Sequence, residues 1–263
     1  MRVLFIGDIV GKPGRKAVRA LLPGIVGRYA VDIVIANCEN AAGGFGITRK
    51  VVDELYGNEI DILTSGNHIW DKKEVIDFID DYNTLLRPSN YPEGTMGKGS
   101  VAINTRLGIS LGVLNLEGRI FMKPLDCPFR VAEREIERLK HETDIIIVDM
   151  HAEATSEKEA LGWFLDGKVS AVLGTHTHVQ TADERVLSHG TAYITDVGMT
   201  GAFDSVLGIK KEIALERFLR MLPNKFDVAK GDIRLQGVLI DIDNKTGRSV
   251  SIERLSISME GRE

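Results

Sequence analysis

Short apolar runs recur along the chain, and each of them ends in polar or small residues. Continuous runs of β-branched and other apolar residues are typical of strands that are buried on both faces of a sheet. Between them lie segments in which apolar residues recur at helical spacing. The predicted strands are residues 3–6, 33–36, 60–63, 145–148 and 171–173, and the predicted helices are residues 16–29, 48–58, 72–81, 130–141 and 157–165. This alternation predicts βαβ units with right-handed crossovers.

Two segments depart from the alternation and predict hairpins. Residues 100–104 and 109–114 flank a turn at Arg106-Leu107-Gly108, and residues 233–242 and 249–257 flank an Asn-Lys-Thr-Gly turn. Hairpins beside βαβ units predict an α/β protein with two mixed sheets packed together and helices outside. Because no linker, repeat or low-complexity stretch interrupts the chain, we expect residues 1–263 to form a single domain.

Composition narrows the class of protein. Hydrophobic residues make up 43% and charged residues 27% of the 263 residues, which is ordinary for a globular enzyme. Because 33 basic and 38 acidic residues give a net charge of −5, and aromatic residues are only 6%, extended nucleic-acid binding is not expected. Cys38 and Cys127 are too few for a disulfide scaffold. No apolar run fits a signal peptide or a membrane span, so we expect a cytoplasmic protein without membrane contact.

Polar side chains follow five of the predicted strands at the point where each strand ends. The sequences at these points are Gly7-Asp8, Asn37-Cys38-Glu39-Asn40, Thr64-Ser65-Gly66-Asn67-His68, Asp149-Met150-His151 and Gly174-Thr175-His176-Thr177-His178. Four of the six histidines of the chain belong to this set. In open α/β sheets, ligands bind beyond the carboxyl ends of the strands. We therefore expect carboxylates, amides and imidazoles to gather at one rim.

Each of these features has an ordinary structural interpretation when it stands alone. Asp8 is suited to cap a helix or a turn, and Asn67 and His68 suit a loop. His151 is suited to a half-buried position with its hydrogen bonds satisfied. Their meeting at one rim, without a cysteine among them, instead favours a metal site for hard-to-borderline cations.

The spacing of the last two histidines strengthens this interpretation. His176 and His178 would share one face if the backbone there is extended. Two divalent ions about 3.5–4 Å apart need a bridging carboxylate, and Glu39 is suited to span them. With Asp8, Glu39 and a bridging hydroxide, two such ions leave a net charge of +1, which suits a singly charged phosphodiester. Nitrogen and oxygen ligands favour two Mn²⁺ or Fe²⁺ ions, with Zn²⁺ as an alternative.

The ordered set resembles the calcineurin-like metallophosphoesterase superfamily from Asp8 to His178. Two departures from the superfamily pattern are Asp8-Ile9-Val10 in place of Asp-x-His and Cys38-Glu39-Asn40 in place of Gly-Asp. The departures themselves resemble the bacterial YmdB branch, as do the motifs Phe5-Ile6-Gly7-Asp8-Ile9-Val10-Gly11, Glu39-Asn40-Ala41-Ala42-Gly43-Gly44-Phe45-Gly46 and Asp196-Val197-Gly198-Met199-Thr200-Gly201. The resemblance implies a four-layer αββα sandwich and hydrolysis of 2′,3′-cyclic nucleotides or other small phosphodiesters.

The resemblance also implies a role for each residue of the set. The implied ligands are Asp8, Asn40 and His178 for one cation and Asn67, His151 and His176 for the other, with Glu39 bridging them. His68 would stay off the metals and act as general acid, protonating the ribose alkoxide that a metal-bridging hydroxide expels. The alternative for His68 is a purely orienting role beside a ligand.

Three further residues have open interpretations. Phe45 lies among glycines at the predicted rim and would stack on a base, unless its loop is only a tight turn. Thr200 would donate to a phosphate oxygen, or else serve only its own loop. Asp71 precedes Lys72-Lys73-Glu74 and is predicted to cap the helix at residues 72–81.

Several functions remain open at this point. A phosphomonoesterase or a nuclease would use the same metal site, and a regulatory or scaffolding protein would bind metal with only incidental hydrolysis. Exposed edge strands in the second half of the chain would allow a homo-oligomer. A small phosphodiester, 2′,3′-cyclic AMP above all, is the expected substrate.

Overall fold

The computed structural model describes residues 1–223 and 225–259. Its strands are β1 (Arg2–Ile6), β2 (Asp8–Ile9), β3 (Ile33–Asn37), β4 (Ile62–Thr64), β5 (Ser100–Asn104), β6 (Ser110–Glu117), β7 (Ile146–His151), β8 (Ala171–Thr175), β9 (Arg185–Val186), β10 (Ala192–Ile194), β11 (Met199–Ala202), β12 (Ile233–Ile242) and β13 (Ser249–Ser258). Its α-helices are α1 (Gly11–Tyr29), α2 (Arg49–Tyr56), α3 (Pro128–Leu139), α4 (Thr155–Leu165) and α5 (Lys211–Arg220). Every strand predicted from an apolar run is present.

The strands form two mixed sheets. The first has the order β2-β11-β12-β1-β3-β4 with β13 beside β12, and the second has the order β5-β6-β7-β8-β10-β9. β1, β3 and β4 run parallel, as do β6, β7, β8 and β10. The pairs β5–β6 and β12–β13 are antiparallel, which confirms both predicted hairpins. The parallel strands therefore point their carboxyl ends in one direction within each sheet.

Side-chain alternation along β1 shows how the layers stack. Val3 and Phe5 belong to a core that also contains Leu111 of the second sheet. Leu4 and Ile6 point the opposite way, into a core formed with α1 and α2. The other face of the second sheet packs against α3 and α4. The result is the expected four-layer sandwich, with two sheets face to face and helices on both outer sides.

The predicted helix at residues 72–81 is wrong. The chain forms two short 3₁₀ helices there, Lys73–Asp77 and Ile79–Asp81, separated at Phe78. Phe78 is buried and has a φ of −137°, which lies outside the helical range. The expected cap is also missing, because no side chain caps the start of this segment. Packing of an aromatic side chain has overridden the local helical pattern.

Residues 203–223 and 225–232, between β11 and β12, form an excursion that was not among the predicted elements. It contains α5, in which Ala214 is the buried residue. Leu215, Phe218 and Leu219 of α5 recur at the helical spacing i, i+3, i+4, so the helix had a usable signal in the sequence, although these side chains are exposed and face no core. None of the helices within residues 1–223 and 225–259 combines the length and apolarity needed to cross a bilayer.

Candidate metal centre

Ends of strands from both sheets bring candidate ligands to one rim. Asp8 follows β1, Glu39 follows β3, His151 ends β7 and His176 follows β8. The ligand atoms of Glu39, His151 and His176 lie within 4.8 Å of one another. These three side chains therefore form a candidate metal-binding cluster.

Glu39 is the central residue of the cluster. Its Oε2 atom lies 3.2 Å from Nε2 of His151. The same His151 nitrogen lies 3.0 Å from Oδ1 of Asn67 and 3.1 Å from Nδ1 of His176. The other oxygen of Glu39, Oε1, accepts a hydrogen bond of 2.9 Å from Nδ2 of Asn40. Glu39 therefore contacts a different group of candidate ligands through each of its two oxygens.

Asn40 belongs to the second group, with Asp8 and His178. Nε2 of His178 lies 3.1 Å from Nδ2 of Asn40 and 3.9 Å from Oδ1 of Asp8. Oδ1 of Asp8 and Oδ1 of Asn40 are buried and have no hydrogen-bond partner among the described residues. Because such acceptors are costly to leave unpaired, two of them beside an imidazole nitrogen fit a bound cation. The oxygen and nitrogen donors, without thiolate, also fit a hard or borderline divalent ion.

Hydrogen bonds behind two of the histidines orient their rings. Nδ1 of His151 lies 2.9 Å from Oγ1 of Thr175, whose hydroxyl donates to Asp149 at 2.7 Å. Nδ1 of His178 lies 3.1 Å from the carbonyl oxygen of Leu207 and donates to it. Both arrangements leave Nε2 facing the cluster. Partners of this kind fix the orientation of metal-binding histidines.

The turn after β8 holds its histidines in strained backbone. The φ angles are 97° for His176 and 63° for His178, so the predicted extended backbone at this motif is wrong. Thr177 donates from its backbone N–H and from its hydroxyl to Oδ2 of Asp196. Nζ of Lys158 donates to the same oxygen at 2.8 Å, and both members of this ion pair are fully buried. The pair therefore stabilises the strained turn.

Burial and mutual charge control the protonation of the cluster. Burial raises the pKa of Asp8. Burial also disfavours the charge on Glu39, but attraction to His151 outweighs it and holds the pKa of Glu39 well below its usual range. For His151, burial is outweighed by the attraction of Glu39, and the pKa of His151 rises to about 9. Burial and the nearby His151 lower the pKa of His176 to about 3.

His68 lies beside the cluster with a different set of contacts. Its Nδ1 atom lies 2.8 Å from Oδ2 of Asp71, and its backbone N–H donates to Oε2 of Glu39 at 3.1 Å. The predicted helix-capping role of Asp71 is therefore wrong, because its carboxylate pairs with this imidazole. The His68 side chain is 27% exposed, so its ring is open to solvent and to a ligand.

The rim opens into a cavity of about 240 Å³. Candidate metal ligands and His68 line part of it, and apolar side chains line much of the remainder. The polar lining includes Glu39, Asn40, His68, His176 and His178, and the apolar lining includes Val10, Phe45, Leu207, Ile209, Phe226 and Val228. The cavity therefore has a metal side and an apolar side.

The two candidate substrate-binding residues differ in position. Phe45 lines the cavity, and its ring centroid lies 4.9 Å from that of His68. Thr200 is fully buried in β11, where its hydroxyl donates to the carbonyl oxygen of Gln236 at 3.2 Å. Since this hydroxyl is engaged inside the sheet, we do not include Thr200 in the proposed site.

Other residues of the site were missed in the sequence. A Cβ atom on Gly66 would lie 2.1 Å from Cδ2 of His151 and 2.5 Å from Oε2 of Glu39, so only glycine fits there. Because Gly66 directly precedes the candidate ligand Asn67, the sequence already indicated that the backbone passes close to the site there. Thr175 also lay within a quoted motif, but nothing in the pattern distinguishes its hydroxyl from that of another buried strand threonine.

Comparisons with known proteins identify the family. The 2′,3′-cyclic-nucleotide 2′-phosphodiesterase of Bacillus subtilis strain 168 is 53% identical over 258 residues, covering 98% of this chain and 97% of that protein. A crystal structure of a hypothetical protein from Thermus thermophilus has a TM-score of 0.92 and 46% identity, covering 98% of this chain and 99% of the other. A phosphatase from Mycoplasma pneumoniae has a TM-score of 0.92 and 34% identity, covering 98% and 93%. Residues 4–255 match the family described as YmdB-like protein, so the chain belongs to the YmdB-like family.

Proposed function

We propose that this protein is a phosphodiesterase that depends on two divalent metal ions and hydrolyses small phosphodiesters, chiefly 2′,3′-cyclic nucleotides. The position of Glu39 carries the proposal, because each of its two oxygens contacts a different group of candidate ligands. The activity named for the Bacillus subtilis relative supports the substrate class.

The proposed ligand sets follow these two groups. They are Asp8, Asn40 and His178 for one cation, Asn67, His151 and His176 for the other, and Glu39 for both. The absence of thiolate from these sets favours Fe²⁺ or Mn²⁺, with Zn²⁺ as the alternative. When bound, the cations supply an activated water nucleophile and neutralise phosphoryl charge.

His68 is the proposed general acid. Its Nδ1 faces Asp71, so Nε2 is the atom available to a substrate. As the bond between phosphorus and the ribose O2′ breaks, a proton moves from Nε2 of His68 to O2′. The resulting hydroxyl is a far better leaving group than an alkoxide, and such proton transfer contributes about 10²–10⁴-fold in rate. Asp71 would hold the ring in place for this transfer.

The test is turnover of 2′,3′-cyclic AMP by protein that has been stripped of metal and reloaded with Mn²⁺. Glu39→Gln and His68→Ala are measured beside the unaltered protein, together with their metal content. We expect Glu39→Gln to lose hydrolysis, and His68→Ala to lose most of it while it keeps its metal. Absence of turnover in fully loaded, unaltered protein would reject this substrate class.

A phosphomonoesterase is the second candidate, because the Mycoplasma pneumoniae structural relative is described as a phosphatase. Parallel assays with p-nitrophenyl phosphate and bis-p-nitrophenyl phosphate separate the two activities. A scaffolding role would instead be favoured if His68→Ala abolished turnover and left the biological effect intact.

A nuclease would cleave oligonucleotides internally, which the small cavity disfavours.

A cytoplasmic location and a homo-oligomer stay predictions from the sequence. The pairing of strands between subunits, through exposed edges, would be the route to an oligomer. Cell fractionation tests the location, and light scattering of the purified protein tests the oligomeric state.

A further inference from the structure

Residues 203–223 and 225–232 supply much of the apolar side of the cavity, and we call them the wall segment. Four apolar side chains of this segment line the cavity, namely Leu207, Ile209, Phe226 and Val228. Among the described lining residues of the segment, the polar side chain is Asp227, whose carboxylate pairs with Nζ of Lys210. The wall segment therefore presents an apolar surface to a ligand, and the carboxylate of Asp227 is already paired with Lys210.

A row of rings leads from the proposed general acid to this wall. The ring centroids of His68 and Phe45 are 4.9 Å apart, and those of Phe45 and Phe226 are 5.5 Å apart at an interplanar angle of 56°. The guanidinium of Arg217 lies 4.8 Å from the Phe226 centroid, where it supports the ring by a cation–π contact. The two phenylalanines come from chain segments far apart in sequence and meet at the cavity.

The wall is fixed relative to the metal side. The carbonyl oxygen of Leu207 accepts the hydrogen bond that orients His178. Val228 packs so closely on the loops of the rim that a Cβ atom on Gly44 or Gly11 would lie 3.0 Å or 3.1 Å from its methyl carbon. The wall and the candidate ligands are therefore held at a set distance from each other.

We propose that Phe226 and Phe45 form a nucleobase subsite that holds the base of a nucleoside 2′,3′-cyclic phosphate by stacking and apolar contact. This inference rests on the proposed function. In such a substrate only C2′ and C1′ separate the leaving oxygen O2′ from the base. A ribose whose O2′ faces His68 therefore places its base within reach of the row of rings.

The side chains of the wall segment also determine which part of the base is recognised. Because the wall segment offers apolar side chains and an already paired carboxylate, the subsite recognises the face of the base rather than its hydrogen-bonding edge. Stacking tolerates every base, since each has a π-face. All four nucleotides are therefore substrates, and the larger purines have lower KM values than the pyrimidines.

The test compares two substrates in the Mn²⁺-loaded protein, namely 2′,3′-cyclic AMP and methyl riboside 2′,3′-cyclic phosphate, which lacks a base. We expect Phe226→Ala to lower kcat/KM for the nucleotide by about 5- to 150-fold, the range that corresponds to the loss of base stacking on one aromatic side chain. The loss falls mainly on KM, because the base contact is the same in ground and transition states. The analogue without a base keeps its kcat/KM, and Phe226→Tyr restores nucleotide turnover.

Phe121 provides a matched control. It is 88% exposed and lines a separate opening beside Asn67 and His176. Phe121→Ala leaves the ratio of the two substrates unchanged. The subsite is overturned if Phe226→Ala lowers turnover of both substrates equally, or if Phe121→Ala alone causes the base-selective loss.

A binding measurement separates this inference from the proposed function. If the unaltered protein hydrolyses neither substrate, the proposed function fails. Calorimetric titration with adenosine 3′-phosphate and methyl riboside 3-phosphate then tests the subsite without catalysis. Weaker binding of the adenosine compound alone in Phe226→Ala supports the subsite, and equal binding of both compounds by the unaltered protein rejects it.

Discussion

The two sides of the cavity are built in different ways. On the metal side, Asp8, Glu39 and His151 are fully buried at the ends of strands that cross the middle of the sheets. On the apolar side, the wall segment has one buried residue in its helix and ion pairs on its surface, such as Lys211 with Asp204. Exposed ion pairs contribute little stability, so the wall depends on its few apolar contacts.

The metal side must satisfy the geometric requirements of the reaction, and the apolar side those of substrate selectivity. Cation ligands must be held within a fraction of an ångström, which rigid strand ends achieve. A base that is held by stacking tolerates small shifts of its platform. Side chains of the wall can therefore change and alter substrate preference, as long as the carbonyl of Leu207 that orients His178 keeps its position.

The largest expected effect is that of Glu39→Gln. Loss of the carboxylate that both groups of ligands share removes several kcal/mol of interaction with the cations, which corresponds to about 10³-fold or more in rate. Metal analysis and turnover of 2′,3′-cyclic AMP measure the effect. Glu135→Gln, which removes a partly buried carboxylate from an ion pair with Arg138 on α3, is the control. Full metal content and activity in Glu39→Gln would contradict the assignment.

His68→Ala is expected to lower kcat by about 10²–10³-fold, because the leaving oxygen loses its proton donor. Its metal content stays that of the unaltered protein. His189 offers a matched control, since its Nδ1 lies 2.8 Å from Asp166 in a similar pair outside the cavity lining. His189→Ala should keep full activity. Metal loss in His68→Ala would assign this residue to the ligands instead.

The sequence predicted the site correctly where candidate ligands directly follow apolar strands. Apolar runs predict β1, β3, β7 and β8, and the polar residues that follow them meet at one rim as expected. The prediction failed where several interactions compete for one residue. Asp71 matches a capping pattern, but its carboxylate pairs with His68. Thr200 resembles a loop residue, because β11 is a short strand whose pairing with β2 no local pattern reveals.

Phe226 shows a different limit of sequence reasoning. No periodicity marks an aromatic residue in an irregular segment, and its role depends on contact with Phe45, far away in the chain. Contacts between distant segments become visible only when the fold brings them together. The residues that the wall segment contributes to the cavity therefore had no signal for this role in the sequence.

Thr175→Val is expected to weaken metal binding by about 10- to 100-fold, because His151 loses the hydrogen bond that orients its ring. Competitive titration with a metal indicator measures the change. Thr191→Val removes an equally buried hydroxyl, which bonds to the carbonyl oxygen of Val169, and serves as the control. Equal metal affinity in both variants would show that Thr175 does not position His151.

The smallest effect, about tenfold for each pH unit, is a dependence of metal affinity on pH. The pKa of His151 is raised to about 9, so a proton occupies the nitrogen that a cation needs at neutral pH. Raising the pH toward 9 removes this competitor, and apparent affinity should rise about tenfold per pH unit for one displaced proton. Calorimetry in buffers of different ionisation enthalpy would detect that proton.

Stacking on Phe226 involves no titrating group, so the ratio of KM values between the nucleotide and its analogue without a base should stay constant over the same pH range. A constant metal affinity, or a ratio that follows pH, would show that the two sides of the cavity are not independent.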